Sequence, residues 1–291
     1  MKRFNIFFYL VLFALISGCE STVPKVPTAD VVIVQVNDIY EIAGVNRGKE
    51  GNLSRVQGLV DSLKKIYPQV LLVHAGDFLN PSLIGNLKDE DGEKIQGKQM
   101  VEVMNAMSFD AVAFGNHEID LNYPTLQKRL NEMEFDMISA NLLFKDSIGM
   151  RPFRQRERSI SGYKNFSVKT ESGIKTLSLL SVILPYNLKN YVHYEKVSAA
   201  IQTNMVGLEE KADGVFLLSH LNREEDNIMG EKFQNINLIM GGHDHYNFCD
   251  TVGGERYVTK ADANARTAWI HYVSWNDASK EFLSKPVLIP I

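Results

Sequence analysis

The sequence predicts an α/β fold, because apolar runs of strand length alternate with amphipathic stretches from Asp30 onward. Val31 to Val36 is a largely β-branched run, which indicates a buried strand. Pro68 ends the helix predicted after it, and Val70 to Val73 forms the next predicted strand. The apolar residues that give this helix its spacing are Leu53, Val56, Val60, Leu63 and Ile66.

The rest of the chain continues this alternation. Further helices are predicted at 100–107 and 201–208. The other predicted strands lie at 111–114, 163–170, 174–184, 214–218, 236–240 and within 257–291, and those at 163–170 and 174–184 are expected to form a hairpin. Four arginines between 151 and 158 are expected to lie in a solvated loop, and contact with an anionic substrate or lipid headgroup is the alternative.

Composition indicates an ordinary globular protein, since 45% of the 291 residues are hydrophobic and 23% are charged. The formal net charge of −4 lacks the basic excess that is typical of nucleic-acid-binding proteins, so no nucleic-acid binding is expected. The sequence shows no internal repeat, and residues 30–291 are predicted to form a single domain.

The N-terminus has the pattern of an export signal. Lys2 and Arg3 precede an apolar run from 6 to 16, which is too short to cross about 30 Å of hydrocarbon as a helix. The end of this run, Leu15-Ile16-Ser17-Gly18-Cys19, resembles a bacterial lipobox.

A lipobox implies that residues 1–18 are a lipoprotein signal peptide and that Cys19 is lipidated. Residues 19–29 then form a tether, and the protein is expected to be anchored to the cell envelope outside the cytoplasm. Glu20 after the cysteine favours the outer membrane. The alternative is an ordinary secretory signal that happens to contain a cysteine. Cys249 would have no intramolecular disulfide partner.

Residues of metal-ligand type recur at the ends of predicted strands. Open α/β sheets place their ligand sites outside the carboxyl ends of the strands, so these side chains are expected to converge. Their carboxylate, amide and imidazole groups, without a thiolate, suit divalent Mn, Fe or Zn. The candidate ligands are Asp38, Asp77, Asn116, His220, His243 and His245.

The order of these motifs resembles the calcineurin-like metallophosphoesterase superfamily, and most closely the catalytic domain of its 5′-nucleotidase branch. The resemblance covers about residues 31–273 and implies a four-layer α/β/β/α sandwich. The motifs that carry it are Asp38, Gly76-Asp77, Gly115-Asn116-His117-Glu118, His220 and Gly242-His243-Asp244-His245.

The resemblance also implies a role for each ligand. Asp77 would bridge two divalent ions, with Asp38 and His245 on the first ion. The second ion would be held by Asn116, His220 and His243. Two such ions can share a hydroxide that attacks a phosphate ester.

His117 resembles the family histidine that stabilises the phosphoryl charge and protonates the leaving oxygen. Asp120 resembles the carboxylate that orients this imidazole, and the alternative is an acid at a helix N-terminus. Glu118 is expected to be a structural neighbour of the pair.

The first motif departs from the family pattern, in which Asp-x-His is usual. Here it is Asp38-Ile39-Tyr40, so a tyrosine replaces one histidine ligand of the first ion. Tyr40 could leave an open position, ligate as a phenolate, or mark an inactive site.

These observations predict a metal-dependent phosphoesterase whose substrate is a small phosphate ester, with nucleotides as one candidate class. Monoester and diester cleavage both remain open. The alternative is a non-catalytic envelope lipoprotein that uses a degenerate phosphoesterase fold as a binding module. Four aromatic residues could either shape a substrate pocket or pack in the core and surface, namely Phe78, Tyr123, Tyr186 and Tyr246.

Overall fold

The computed structural model describes residues 26–291. The predicted signal peptide (1–18), the predicted lipidation site Cys19 and most of the predicted tether lie outside the described residues. The helices of this part of the chain are α1 (Leu53–Lys64), α2 (Lys98–Met107), α3 (Tyr123–Glu132), α4 (Val197–Leu208) and α5 (Arg223–Lys232). Within residues 26–291, none of the helices has both the length and the apolar character needed to cross a membrane.

Two six-stranded sheets form the centre of the molecule. The first has the order β17-β16-β1-β2-β3-β4, in which β1 to β4 are parallel. Its strands are β1 (Val31–Val36), β2 (Val70–His74), β3 (Ala111–Ala113), β4 (Met137–Ile138), β16 (Thr267–Asn276) and β17 (Glu281–Pro290).

The second sheet has the order β14-β15-β13-β12-β10-β9, with a parallel centre and antiparallel edges. Its strands are β9 (Tyr163–Thr170), β10 (Gly173–Ile183), β12 (Gly214–His220), β13 (Ile236–Gly241), β14 (Phe248–Val252) and β15 (Arg256–Lys260). The short strands outside both sheets are β5 (Leu142–Lys145), β6 (Met150–Pro152), β7 (Arg154–Gln155), β8 (Arg158–Ser159) and β11 (Val192–Tyr194).

The two sheets pack face to face and helices cover their outer faces, so the fold is the predicted four-layer α/β/β/α sandwich. Apolar side chains of both sheets meet between them, including Ile33 and Val73 from the first and Leu179 and Leu218 from the second. Helix α1 packs on β2, while α4 and α5 pack on β10 and β13. Burial of these surfaces supplies the main driving force for folding.

Two helices contain few apolar residues, and the sequence analysis does not predict them. Helix α3 begins where the Asn122 side chain accepts a hydrogen bond from the Thr125 backbone N–H. Helix α5 begins at a similar cap on Asn222, and three acidic residues occupy its first turn. Capping and dipole interactions therefore mark these helices, because few of their side chains are apolar and buried.

Two smaller predictions need correction. The four arginines are exposed, as expected, but their segment is not a continuous loop, since β7 and β8 pair within it and Gln155 is buried, bonding to backbone groups near β4. Ile66 does not lie on the buried face of α1, because the helix ends at Lys64 and Ile66 is 57% exposed.

A buried ion-pair network lies under the carboxyl end of the second sheet. The Lys260 ammonium lies 2.9 Å from Asp226 Oδ2 and 2.5 Å from Asp244 Oδ2. It also donates to the backbone carbonyl of Leu221. Lys260 and Asp226 are both fully buried, so each charge depends on the other for compensation.

Replacing Lys260 with Met is expected to lower the free energy of unfolding by about 3–5 kcal/mol, because Asp226 would keep a buried charge without a counter-ion. The double variant with Asp226→Leu should regain part of the loss, since an apolar pair needs no compensation. Urea denaturation measures all three proteins. Lys280→Ala, which removes an exposed ion pair with Asp277, is the control and should change stability by less than about 1 kcal/mol. Equal stability of K260M and the wild type would contradict the assignment.

Candidate metal centre and active site

The predicted ligands lie at one edge of the sandwich, where the carboxyl ends of parallel strands from both sheets meet. Asp38, Asp77 and Asn116 follow β1, β2 and β3 of the first sheet. His220 is the last residue of β12, whereas the sequence placed it just beyond the strand, and His243 and His245 follow β13. The edge expected for ligand sites in open sheets is therefore also where these side chains lie.

The backbone is strained at four of these positions. The φ angle is 52° at Asp38, 66° at Asp77, 86° at His243 and 59° at His245. All four values lie in the left-handed region that residues other than glycine rarely adopt. Such a conformation costs roughly 1–2 kcal/mol per residue. Four strained residues in one cluster indicate a local geometry that the surrounding structure imposes on the ligand side chains.

Two glycines allow the loops to approach each other. A Cβ at Gly115 would lie 2.1 Å from Asp77 Oδ1, and a Cβ at Gly242 would lie 2.4 Å from the carbonyl oxygen of Ala75. Only glycine fits at either position, because the Cβ of any other residue would clash with the neighbouring oxygen atom.

The ligands predicted for the second ion converge. His220 Nε2 lies 3.3 Å from Asp77 Oδ2 and 3.1 Å from Asn116 Oδ1. His243 Nδ1 lies 3.1 Å from the same Asn116 oxygen. The other nitrogen of His220 donates to the Ala75 carbonyl at 2.7 Å, which turns Nε2 toward the cluster, as is usual for a metal-binding histidine.

The ligands predicted for the first ion surround Tyr40. Its hydroxyl lies 3.1 Å from Asp77 Oδ2, 3.1 Å from His245 Nε2 and 3.4 Å from Asp38 Oδ1. His245 Nε2 is in turn 3.4 Å from Asp38 Oδ1. Tyr40 therefore points its hydroxyl into the first half of the centre, at the position that the missing histidine would serve.

The charges of the cluster fit a divalent cation. Donor atoms of Asp38, Asp77 and His220 all lie within 4.8 Å of one another, and all three residues are buried. In residues 26–291, neither aspartate nor the nearby buried Glu118 forms an ion pair with a lysine or arginine. Buried carboxylates without such partners need another source of positive charge.

The pKa values show how the histidines provide that charge without an ion. Burial would lower the pKa of His220, but the charge and hydrogen bond of Asp77 outweigh it and raise this pKa to about 9. Burial would raise the pKa of Asp38, but the hydrogen bond from His245 and the charge of His220 lower it to about 2. Burial and the nearby carboxylates raise the pKa of the Tyr40 hydroxyl far above its ordinary value. A bound cation would take over this charge compensation.

Glu118 ties the loops of the first sheet together. Its carboxylate accepts hydrogen bonds from the backbone N–H groups of Asp77, Phe78, Leu79 and Gly115 at 2.7–3.0 Å. Burial and the Asp77 charge raise its pKa to about 7. The expectation that Glu118 is structural agrees with these contacts, all of which are to backbone.

The predicted ligands are themselves oriented by their neighbours. Asp38 Oδ2 accepts from the Asn37 side-chain amide at 2.8 Å and from the His243 backbone N–H at 2.9 Å. Asp77 Oδ1 accepts from the His117 backbone N–H at 2.7 Å. Of these three neighbours, Asn37 alone was not among the candidate site residues.

His117 and Asp120 form a close pair at the rim of the centre. The His117 Nδ1 atom lies 2.6 Å from Asp120 Oδ2, and about one third of each side chain is exposed. Asp120 ends a 3₁₀ turn (Asn116–Asp120) and precedes the cap of α3, so it is not an acid in the first turn of a helix. The Asp120 carboxylate also accepts from the side-chain amides of Asn80 and Asn187, which sequence reasoning missed.

The four candidate aromatic residues divide into two groups. Phe78 is fully buried, and Tyr123 stacks on Phe144 with ring centroids 4.3 Å apart, so these two pack structurally. Tyr186 and Tyr246 are 62% and 50% exposed and flank the histidine loop. The Tyr186 ring lies 6.2 Å from that of His243.

A cavity of about 670 Å³ opens beside the His117–Asp120 pair. Asp120 and Asn80 line it on the side of the pair. Other residues in its wall are Gln96, Tyr123, Lys189 and Tyr191.

Comparison with known proteins gives the family. The calcineurin-like phosphoesterase family model matches residues 31–247, about three quarters of the chain. The NAD 5′-nucleotidase of Haemophilus influenzae is 27% identical over 199 residues, which are 67% of this chain and 31% of that protein. Human 5′-nucleotidase is 25% identical over 238 residues, which are 76% of this chain and 39% of that protein. The chain thus spans about a third of the length of the curated relatives it matches.

Solved structures share the fold. The calcineurin-like phosphoesterase YfkN of Bacillus subtilis superposes with a TM-score of 0.71 at 17% identity, covering 91% of both chains. The 5′-nucleotidase precursor of Thermus thermophilus gives 0.71 at 20% identity, covering 90% of this chain and 54% of that one. These comparisons confirm the resemblance to the 5′-nucleotidase branch. Given the family match, the shared sandwich and the cluster at its strand ends, the chain belongs to the calcineurin-like phosphoesterase family.

Proposed function

We propose that this protein is a metal-dependent phosphomonoesterase with two divalent ions at the carboxyl edge of its sheets. The observation that carries the proposal is the convergence of six ligand side chains next to the His117–Asp120 pair. Bound there, the ions would supply Lewis acidity that polarises a phosphoryl group and activates water. Mn, Zn and Fe all suit this mixture of oxygen and nitrogen donors.

Each ion would have its own set of side chains. Asp77 would belong to both sets, because its Oδ2 atom lies near both Tyr40 and His220. Asp38 and His245 complete the first set together with Tyr40. The second set consists of Asp77, Asn116, His220 and His243.

His117 acts on the substrate rather than on an ion. Asp120 accepts the hydrogen bond from Nδ1, which leaves Nε2 as the ring nitrogen that faces away from this carboxylate. With a proton on each ring nitrogen, His117 would stabilise the phosphoryl charge and give the Nε2 proton to the leaving oxygen, while Nδ1–H stays on Asp120. The His117 ring lies 6.0 Å from that of Tyr40, at the rim of the first ion's ligands.

Nucleotides are the proposed substrate class. Relatives named as 5′-nucleotidases support it, as do the two exposed tyrosines beside the histidine loop, whose rings could stack on a base. The alternative, a non-catalytic binding module, is tested by the same assay as catalysis.

Purified protein loaded with Mn, Zn or Fe is expected to release phosphate from nucleoside monophosphates and to hydrolyse p-nitrophenyl phosphate. His117→Ala should lower kcat by about 10²–10⁴-fold, because it removes the proton donor. His193→Ala is the matched control and should keep full activity, since His193 lies on the short strand β11 outside the centre. If no metal gives activity in the wild type, the non-catalytic alternative replaces this proposal.

Tyr40 is proposed to be a ligand of the first ion. Its separations of 3.1–3.4 Å from three donor atoms are those expected between ligands that share one ion at about 2.0–2.2 Å. Such contacts favour ligation over an open position.

Tyr40→Phe is therefore expected to weaken binding of one of two metal equivalents by about 10–100-fold, whereas Tyr40→His should keep both. Calorimetric titration of metal-free protein, with metal content measured after dialysis, gives the stoichiometry and affinities. A Phe variant that binds both ions as tightly as the wild type would show that the hydroxyl is not a ligand.

We also propose that Cys19 anchors the protein to the cell envelope through a lipid. Support comes from the sequence alone, in the apolar run that ends at the lipobox. The wild type should incorporate radiolabelled palmitate and sediment with membranes, while Cys19→Ser should do neither. Equal labelling of both forms would contradict the anchor.

A further inference from the structure

Asn187 connects the two functional halves of the 3₁₀ turn at residues 116–120. Its side-chain nitrogen donates one hydrogen bond to the Asn116 backbone carbonyl at 2.7 Å. The same nitrogen donates a second hydrogen bond to Asp120 Oδ1 at 2.6 Å. Both hydrogens of this amide are used, one on the segment that carries a predicted ligand and one on the partner of His117.

The hydrogen bonds around Asp120 fix the orientation of its carboxylate against the His117 ring. Oδ1 accepts from Asn187, while Oδ2 accepts from the Asn80 amide at 2.7 Å and lies 2.6 Å from His117 Nδ1. Both asparagines donate through side-chain nitrogens, so each carboxylate oxygen is held by one of them. Oδ2 thereby stays next to Nδ1, and the opposite ring nitrogen, Nε2, faces away from Asp120.

Asn187 is itself held in place. The Tyr194 hydroxyl donates to the backbone carbonyl of Asn187 at 3.1 Å. Tyr191, from the same loop, donates to the backbone carbonyl of Leu121 at 2.5 Å, just beyond the 3₁₀ turn. The loop thus reaches the turn with its position fixed by two tyrosines, and the amide of Asn187 arrives in a defined orientation.

We propose that Asn187 is a positioning residue that holds the Asp120 carboxylate against His117 Nδ1 and thereby keeps Nε2 turned toward the substrate. This inference rests on the proposed phosphoesterase function, in which Nε2 serves the leaving oxygen. Asn187 does not touch the substrate in this role and acts through Asp120. Asn80 shares the carboxylate, but it bonds to the same oxygen as His117, so Asn187 gives the cleaner test.

The experiment compares the wild type with Asn187→Ala and the isosteric Asn187→Asp. Each variant is assayed on a nucleoside monophosphate, whose alcohol leaving group needs a proton, and on p-nitrophenyl phosphate, whose acidic phenol needs little help. We expect kcat on the nucleotide to fall by about 10–100-fold while kcat on the aryl phosphate falls by less than about threefold. KM should change little on either substrate.

A second measurement uses metal-free protein and needs no activity. Crystal structures of the wild type and Asn187→Ala compare the separation of His117 Nδ1 and Asp120 Oδ2, which is 2.6 Å here. We expect the wild type to keep this contact and the variant to lose it, because the carboxylate can rotate once Oδ1 has no donor.

Leu188→Ala is the control for the loop, because Leu188 is 82% exposed and adjacent to Asn187. It should match the wild type in both assays. Equal losses of kcat on the two substrates in the Asn187 variants, or an unchanged His117–Asp120 contact in the Asn187→Ala structure, would overturn the positioning role. Absence of wild-type activity on every substrate would instead refute the proposed function, and the crystal structures would still decide the role of Asn187.

Discussion

The buried carboxylate of Glu118 connects the two loops of the first sheet that carry Asp77 and His117. Glu118 gathers four backbone N–H groups from the loops after β2 and β3, at donor–acceptor distances of 2.7–3.0 Å. Without it these donors would be buried and unsatisfied, at a cost of about 1–3 kcal/mol each. Because Asp77 belongs to one loop and His117 to the other, the position of these two side chains relative to each other depends on this contact.

The second sheet joins the site through contacts that cross between the sheets. The His243 backbone donates to Asp38, and His220 donates to the carbonyl of Ala75. Lys260 then holds Asp244, which lies between two predicted ligands, at the end of the second sheet. The contacts at the centre thus also join the two sheets of the sandwich. Binding of ions there should therefore stabilise the fold.

Much of this arrangement could be predicted from the sequence, because the strongest signals are local. Asp, Asn and His residues at predicted strand ends, with glycines before several of them, indicate which edge of the sheets carries the site. The same residues indicate that the site suits divalent metal ions. Asn187 carries no such signal, since its role depends on a contact with Asp120, 67 positions away, made by an irregular loop. The direction of the Tyr40 hydroxyl could not be predicted from the sequence either, because only the folded positions of Asp77 and His245 show where it points.

The four left-handed residues of the site have a consequence for laboratory evolution. At Asp38, Asp77, His243 and His245, glycine would relieve a conformational cost of roughly 1–2 kcal/mol that other residues bear. A screen that selects only for heat resistance would therefore tend to reward the loss of these side chains. Protein engineers who stabilise this scaffold would need to select for turnover at the same time, since the residues with a strained backbone are also the residues proposed to bind the ions.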